Sequence, residues 1–157
     1  MQEEAANKLK AIDPRYAVFG TLFLLSNQLE AVGNRFLGEL TTKQWFLLAV
    51  LSTFFEQPPT LGELAAQMGS SHQNVKQLAL RLQQKGFVSI EKDGKDARAL
   101  RVKATEKLQE YDEKTNGPNT LFINRLFDGF DRQQAACLLE NLLQLCQNIQ
   151  GIKEDLL

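Results

Sequence analysis

The chain has 157 residues, 43% of them hydrophobic and 24% charged, with a formal net charge of −1. That is an ordinary globular composition, large enough for one domain with additional helices. No apolar run approaches the roughly 18 residues needed to cross a bilayer. The acidic, polar start MQEEAANKLKAIDP is unlike a secretory signal, and Cys137 and Cys146 make no disulfide framework. A cytoplasmic protein with no membrane partner is expected.

Asp13-Pro14 reads as a helix start, because Asp caps free N–H groups and Pro is pre-set for the first helical position. From there Val18, Leu22, Leu25, Leu29, Val32 and Phe36 recur at spacing 4-3-4-3-4, a heptad-like stripe widened by Phe19, Phe23 and Leu37. A helix this apolar needs a large partner surface. Thr41 with Gln44 forms a capping box opening a helix rich in Trp45, Leu47, Leu48, Val50, Leu51 and Phe54, which Pro58-Pro59 ends. Thr60 with Glu63 is a second box, for a short helix through Met68 that Gly69 stops. Ser70 with Gln73 reads as a third, for a helix running to Gly86.

After Gly86 the period changes. Phe87–Ile90 and Ala99–Val102 read as short strands around the turn Asp93-Gly94-Lys95-Asp96. Thr105-Glu106-Lys107 restarts a helix expected to end near Asn116-Gly117-Pro118. A last long segment, about 119–150, is apolar at Leu121, Leu126, Phe130, Ala135, Leu138, Leu142, Leu145, Ile149 and Ile152. The fold class is therefore mainly α (α+β): a winged helix-turn-helix with long apolar-faced N- and C-terminal helices. The expected division is a helical region at 1–40 and 104–157 around a DNA-binding module at 41–103.

Charge distribution supports that reading. Residues 70–103 hold eight Lys or Arg against three Asp or Glu, a balance of +5, which leaves −6 on the remainder. A basic module in an acidic body suits a protein that touches phosphate with one face only. On a helical wheel of residues 71–85, Val75, Leu78, Ala79 and Leu82 share the face that must be buried. Gln73, Gln77 and Gln84 lie opposite, flanked by Ser70, Asn74, Lys76 and Arg81. Asn and Gln pair with adenine N6 and N7 in one bidentate contact, so Gln73, Asn74 and Gln77 are the expected base contacts. Ser71, Lys76 and Arg81 are expected on the phosphate backbone, and Ser70 and Ser71 offer a helix N-terminus to a phosphate oxygen. Lys92, Lys95 and Arg98 project from the hairpin, with Arg98 suited to a narrow A·T minor groove and Asp96 placed to orient it or brace the loop.

The residues Leu64-Ala65-(x3)-Gly69-(x)-Ser71-(x3)-Val75, Arg81-Leu82-(x2)-Lys85-Gly86-Phe87-Val88, Asp96-(x)-Arg98 and Thr105-Glu106-Lys107 resemble the MarR-type transcriptional regulators. The resemblance runs without a gap from Leu64 to Lys107, and length and helix order agree over nearly the whole chain. It implies a homodimer with interleaved terminal helices, 1–40 and 104–157 forming the dimerisation region, two winged modules on a palindromic operator, and a repressor relieved by a small, often aromatic ligand or by cysteine oxidation. The chain departs from the family pattern at Ser89, Ile90 and Glu91, where Arg is usual. It departs again at Gln77, where a basic residue is common, and at Ala104 and Leu108 around the Thr-Glu-Lys run. Fewer basic residues predict a shallower loss of binding with salt.

The remaining candidates are weaker. Tyr16, Phe19, Phe23 and Trp45 are placed to line a ligand cleft, with core filling the default for aromatics at helical spacing. Cys137 and Cys146 sit among apolar residues, where a free cysteine packs as a small hydrophobe. His72 is the only histidine, which excludes a multi-histidine metal site. No catalytic constellation, phosphate loop or metal-ligand spacing is present, so neither enzyme activity nor a cofactor is expected. The leading expectation is a homodimeric DNA-binding regulator, with double-stranded DNA, a second copy and a small aromatic ligand as partners. The alternative is a winged-helix protein-interaction adaptor without DNA binding.

Overall fold

The computed structural model describes residues 3–94, 96 and 98–156. Lys95, one of the expected wing contacts, lies outside them. The order is α1 (Glu3–Lys10), α2 (Pro14–Phe36), α3 (Thr42–Phe54), α4 (Leu61–Gln67), α5 (His72–Gln84), β1 (Val88–Lys92), β2 (Leu100–Ala104), α6 (Glu106–Leu126) and α7 (Arg132–Asp155). The chain divides into two compact units, Met1–Glu110 and Tyr111–Leu157, with the boundary inside α6.

Local chemistry accounts for most of the boundaries. Asp13 caps α2, its carboxylate accepting from the Arg15 N–H, with Pro14 first in the helix. Thr41/Gln44 and Thr60/Glu63 both form reciprocal capping boxes. The third box does not form. Gly69 (φ 59°) closes α4 as a Schellman motif, in which the Gly69 N–H reaches Ala66 O and the Ser70 N–H reaches Ala65 O. Ser70 is thus consumed in ending α4, and the cap of α5 falls to Ser71, whose hydroxyl accepts from the Asn74 N–H. Gly86 (φ 80°) closes α5 the same way, with Gly86 N–H to Gln83 O and Phe87 N–H to Leu82 O, and turns the chain into β1.

Two further expectations are corrected. The helix after the hairpin does not stop near Asn116-Gly117-Pro118; α6 passes through Pro118 to Leu126. Proline in a helix interior costs about 3 kcal/mol, and the turns on both sides outweigh it. Side-chain bonds i→i−4, Thr115 Oγ1 to Tyr111 O and Asn119 Nδ2 to Thr115 Oγ1, run alongside the break. The final segment is also not one helix. Gly129 (φ 83°) breaks it, and an Asp131/Gln134 capping box opens α7.

The core of the first unit is a small knot of α3, α4, α5 and the hairpin. Leu47, Leu64, Val75, Leu82, Phe87 and Val102 are fully buried there. β1 and β2 pair antiparallel with Ile90 opposite Val102. Thr60 bridges Arg101, and the Val102 N–H reaches Pro59 O, so the segment before α4 adds a third short edge to the wing. Gln44, the one buried polar residue among the described residues, is satisfied by the Thr41 N–H and by Lys85 Nζ at 2.9 Å. α2 meets α3 at Gly33, where any Cβ would collide with the Thr42 hydroxyl that donates to Glu30 O.

The terminal helices have a different character. In α2 only Gly33 is buried, and in α7 no residue is. Val18, Phe19, Phe23, Leu25, Leu29 and Val32 on α2 stand exposed, as do Leu139, Leu143, Ile149 and Ile152 on α7.

Candidate nucleic-acid interface

α5 has 13 residues, about 20 Å of helix. Val75, Leu78, Ala79 and Leu82 anchor it in the core, as their spacing requires. That anchoring leaves Gln73, Asn74, Lys76, Gln77, Arg81 and Gln84 exposed on the other side. Ser71 caps the helix, while half-buried Ser70 accepts from Asn74 Nδ2 at 2.8 Å. His72 is the first helical residue and is exposed.

The hairpin is braced by its own carboxylates. Asp93 accepts the Asp96 N–H and Asp96 accepts the Arg98 N–H, at 2.8 and 2.9 Å, while Arg98 and Lys92 remain exposed. The two aspartates therefore spend hydrogen-bonding capacity on loop shape. A groove of about 280 Å³ lies between the starts of α4 and α5 and the loop end of the hairpin, lined by Thr60, Leu61, Gly62, His72, Lys76, Arg98, Ala99 and Leu100. It brings Lys76 of the helix and Arg98 of the wing loop to one concavity, two cations that the sequence separates by the rest of α5 and all of β1.

Other basic residues in the same stretch serve the fold. The Arg101 guanidinium pairs with Asp93, donates to Pro58 O at 2.6 Å and lies 4.0 Å from Glu63. The hydrogen bond to Asp93 raises the Arg101 pKa further. Glu63 is held below its ordinary value chiefly by the Thr60 N–H bond of the capping box, with Arg101 adding to it. Lys85 Nζ donates to Glu39 O at 2.5 Å and to Gln44 Oε1. Counting charges along the chain overstates the free positive field, because a latched cation and a free one look alike in sequence.

Residues 39–99 match the model of the MarR family. That stretch, from α3 to the hairpin loop, is similar to the MarR family. Solved structures carry the fold over almost the whole chain. The regulator BldR from Sulfolobus solfataricus aligns with a TM-score of 0.75 at 21% identity, covering 94% of this chain and 99% of that one. MepR from S. aureus, in a complex with DNA, aligns at 0.71 and 16% identity over 83% and 97% of the two chains. BpsR from Bordetella bronchiseptica, whose DNA binding is regulated by 6-hydroxynicotinic acid, aligns at 0.70 and 16% over 82% and 98%. No curated protein matches the sequence. MarR-family proteins are transcriptional regulators, not enzymes.

The Thr105-Glu106-Lys107 run has a structural use that spacing alone does not reveal. Thr105 Oγ1 donates to Gly86 O and the Thr105 N–H to Phe87 O. Lys107 Nζ bonds Lys85 O and Glu39 Oε1, and lies 4.5 Å above the buried Phe87 ring. The run clamps the corner where α5 becomes the wing. Among the described residues no cluster fit to hold a metal ion occurs, and no helix is long and apolar enough to cross a membrane. Tyr16, Phe19 and Phe23 stand on α2, with Tyr16 72% exposed and the two Phe rings 5.1 Å apart edge to face. Trp45 is half-buried on α3, and none of the cavities described joins the four. Cys137 and Cys146 are free thiols, exposed on α7 rather than packed within the chain, and Asn141 donates to Cys137.

Proposed function

We propose that the protein is a homodimeric, sequence-specific DNA-binding transcriptional regulator, a cytoplasmic repressor released by a small ligand or stress signal. The observation that carries this reading is the exposed face of α5. It is polar, amide-rich and flanked by cations, on a helix whose opposite face is locked into the core. In this reading Gln73, Asn74 and Gln77 meet base edges. Ser70, Ser71, Lys76 and Arg81 meet phosphates, and Lys92, Lys95 and Arg98 bring the wing to the backbone or minor groove, with Asp96 supporting it.

Unmatched apolar surface supports the dimer. Helices that bury almost nothing of their own need a second surface, and long exposed apolar stripes mark interaction sites more often than free surface. A second copy carrying the same stripes is the simplest partner. Segments 1–40 and 104–157 then serve dimerisation and 41–103 binds DNA. Two modules related by a twofold axis require a palindromic operator with half-sites about one helical turn apart. Tyr16, Phe19, Phe23 and Trp45 supply an aromatic wall for a small aromatic ligand, which releases DNA by changing the separation of the two α5 helices. Regulation by an aromatic acid in BpsR supports this by analogy.

Gel-shift titration against DNA flanking the protein's own gene tests the proposal. Expected is sub-micromolar, sequence-dependent binding, weakened about tenfold or more in Arg98→Ala and Gln77→Ala. Binding that ignores sequence, or none at low salt, contradicts it and favours the adaptor.

A further inference from the structure

The order of side chains around α5 says more than that it meets DNA. At 100° per residue, measured from Gln73, Gln84 stands at about 20°, Gln77 at about 40° and Leu80 at about −20°. The buried residues centre near 190°, so these four form the crest of the exposed face. Lys76 lies at about −60° and Arg81 at about 80°, one on each flank. No Lys or Arg stands between them. The spacing suits a helix in a major groove, with each flanking cation toward a different strand's phosphates and the crest toward the bases.

The crest holds amides and one apolar side chain. Gln73 and Gln77 are exposed, one turn apart, and neither is held by a protein partner among the described residues. Asn74 differs: it lies at about 100°, beyond Arg81, and one of its amide hydrogens is given to Ser70 Oγ. Leu80 is only half-buried although it faces away from the core. Guanine is most often read by Arg or Lys on O6 and N7, adenine by Gln or Asn on N6 and N7, and the thymine methyl by an apolar side chain.

We infer that α5 is built to read A·T pairs, with Gln73 and Gln77 as adenine readers, Leu80 against a thymine methyl, and Asn74 a positioning residue that ties the first turn to Ser70. This rests on the DNA-binding reading above, narrows it to a base chemistry, and moves Asn74 from the base contacts named there to a positioning role. It also gives Leu80 a use that packing does not.

The test is selection of duplexes by the full-length protein from a randomised pool, followed by atomic changes in the enriched duplex that leave the protein untouched. Enriched sites are expected to place A·T pairs where α5 lies. Replacing adenine there by 7-deazaadenine, which lacks N7, is expected to weaken binding about tenfold. The change is expected to matter little in Gln77→Ala. Replacing thymine by deoxyuridine, which lacks the methyl, is expected to weaken binding about fourfold. Gln77→Arg is expected to move the preference at its position toward G·C. Enrichment of G·C pairs under α5 by the unaltered protein, or indifference to both atomic changes, overturns the A·T assignment while leaving DNA binding intact. A pool with no enriched sequence overturns the DNA-binding reading and this inference with it.

Discussion

The winged module and the terminal helices are built from similar proportions of Leu, Val and Phe, yet only the module uses them within its own chain. Leu47, Leu64, Val75 and Val102 are wholly inside, every helix start from Thr41 to Ser71 is capped, and the buried amide of Gln44 is satisfied. On α2 and α7 an equally regular apolar stripe faces outward. Periodicity reports which residues share a face; it does not report whether the partner face belongs to the same polypeptide. The module is a finished object whose remaining surface is available for recognition. The ends keep their apolar stripes exposed in the single chain.

The contrast can be broken most sharply at its two extremes. Leu25, 45% exposed in the single chain, should accept Asp at little cost to folding if that surface stays in water. Buried against a second copy, an unpaired carboxylate costs several kcal/mol, so Leu25→Asp should raise the dimer dissociation constant by more than about a thousandfold. Sedimentation equilibrium reads this directly, and an unchanged dimer removes the α2 stripe from the interface. Leu64→Ala in the module, by contrast, should lower stability by about 2–5 kcal/mol through lost burial and a cavity. Denaturant unfolding measures it.

A smaller effect separates free from latched cations. Removing a phosphate-contacting Arg98 should reduce the slope of log K against log salt by about 0.9 per chain. Arg101→Ala should leave that slope nearly unchanged, because its charge is spent on Asp93 and the Pro58 carbonyl, and should instead loosen the wing. Amide exchange at Asp96 and Arg98 would show the loosening.

The smallest effect concerns acid. Glu63 has a lowered pKa in the folded state, so its contribution is present above the ordinary Glu range and is lost as pH falls through the lowered value. Because the group is exposed, screening keeps that contribution to a few tenths of a kcal/mol. Glu63→Gln keeps the capping box, whose third position accepts either residue, but does not titrate. Its stability should therefore fall less steeply than wild type below about pH 4.5. Thermal melts across that range would detect it, and identical slopes would exclude Glu63 as a contributor.

What was legible in the sequence follows the same division. Capping boxes and left-handed glycines are local, and they located α3, α4, the hairpin and the buried face of α5. The start of α5 was misread by one residue because two serines were competent to cap and the Schellman closure of α4 claims the first. Asp131 with Gln134 carries the same signature as the other boxes, and with Gly129 it announces the break before α7, but the apolar run across it hid the signal. Pro118 misled in the opposite direction, since one missing N–H is a weaker vote than the turns around it. At the interface, side-chain type could be read but employment could not. Lys85, Arg101 and Lys107 resemble phosphate contacts in sequence, and only the fold shows them tied to Glu39, Asp93 and the Phe87 corner.

The mass of the complex between the full-length chain and a selected duplex, determined by sedimentation equilibrium, tests the central claim most directly. Two chains per duplex are expected, reduced to weak single-chain binding by Leu25→Asp, because one pair of exposed helices must be held by joined ends. One chain per duplex at full affinity, unaffected by that substitution, would contradict the account.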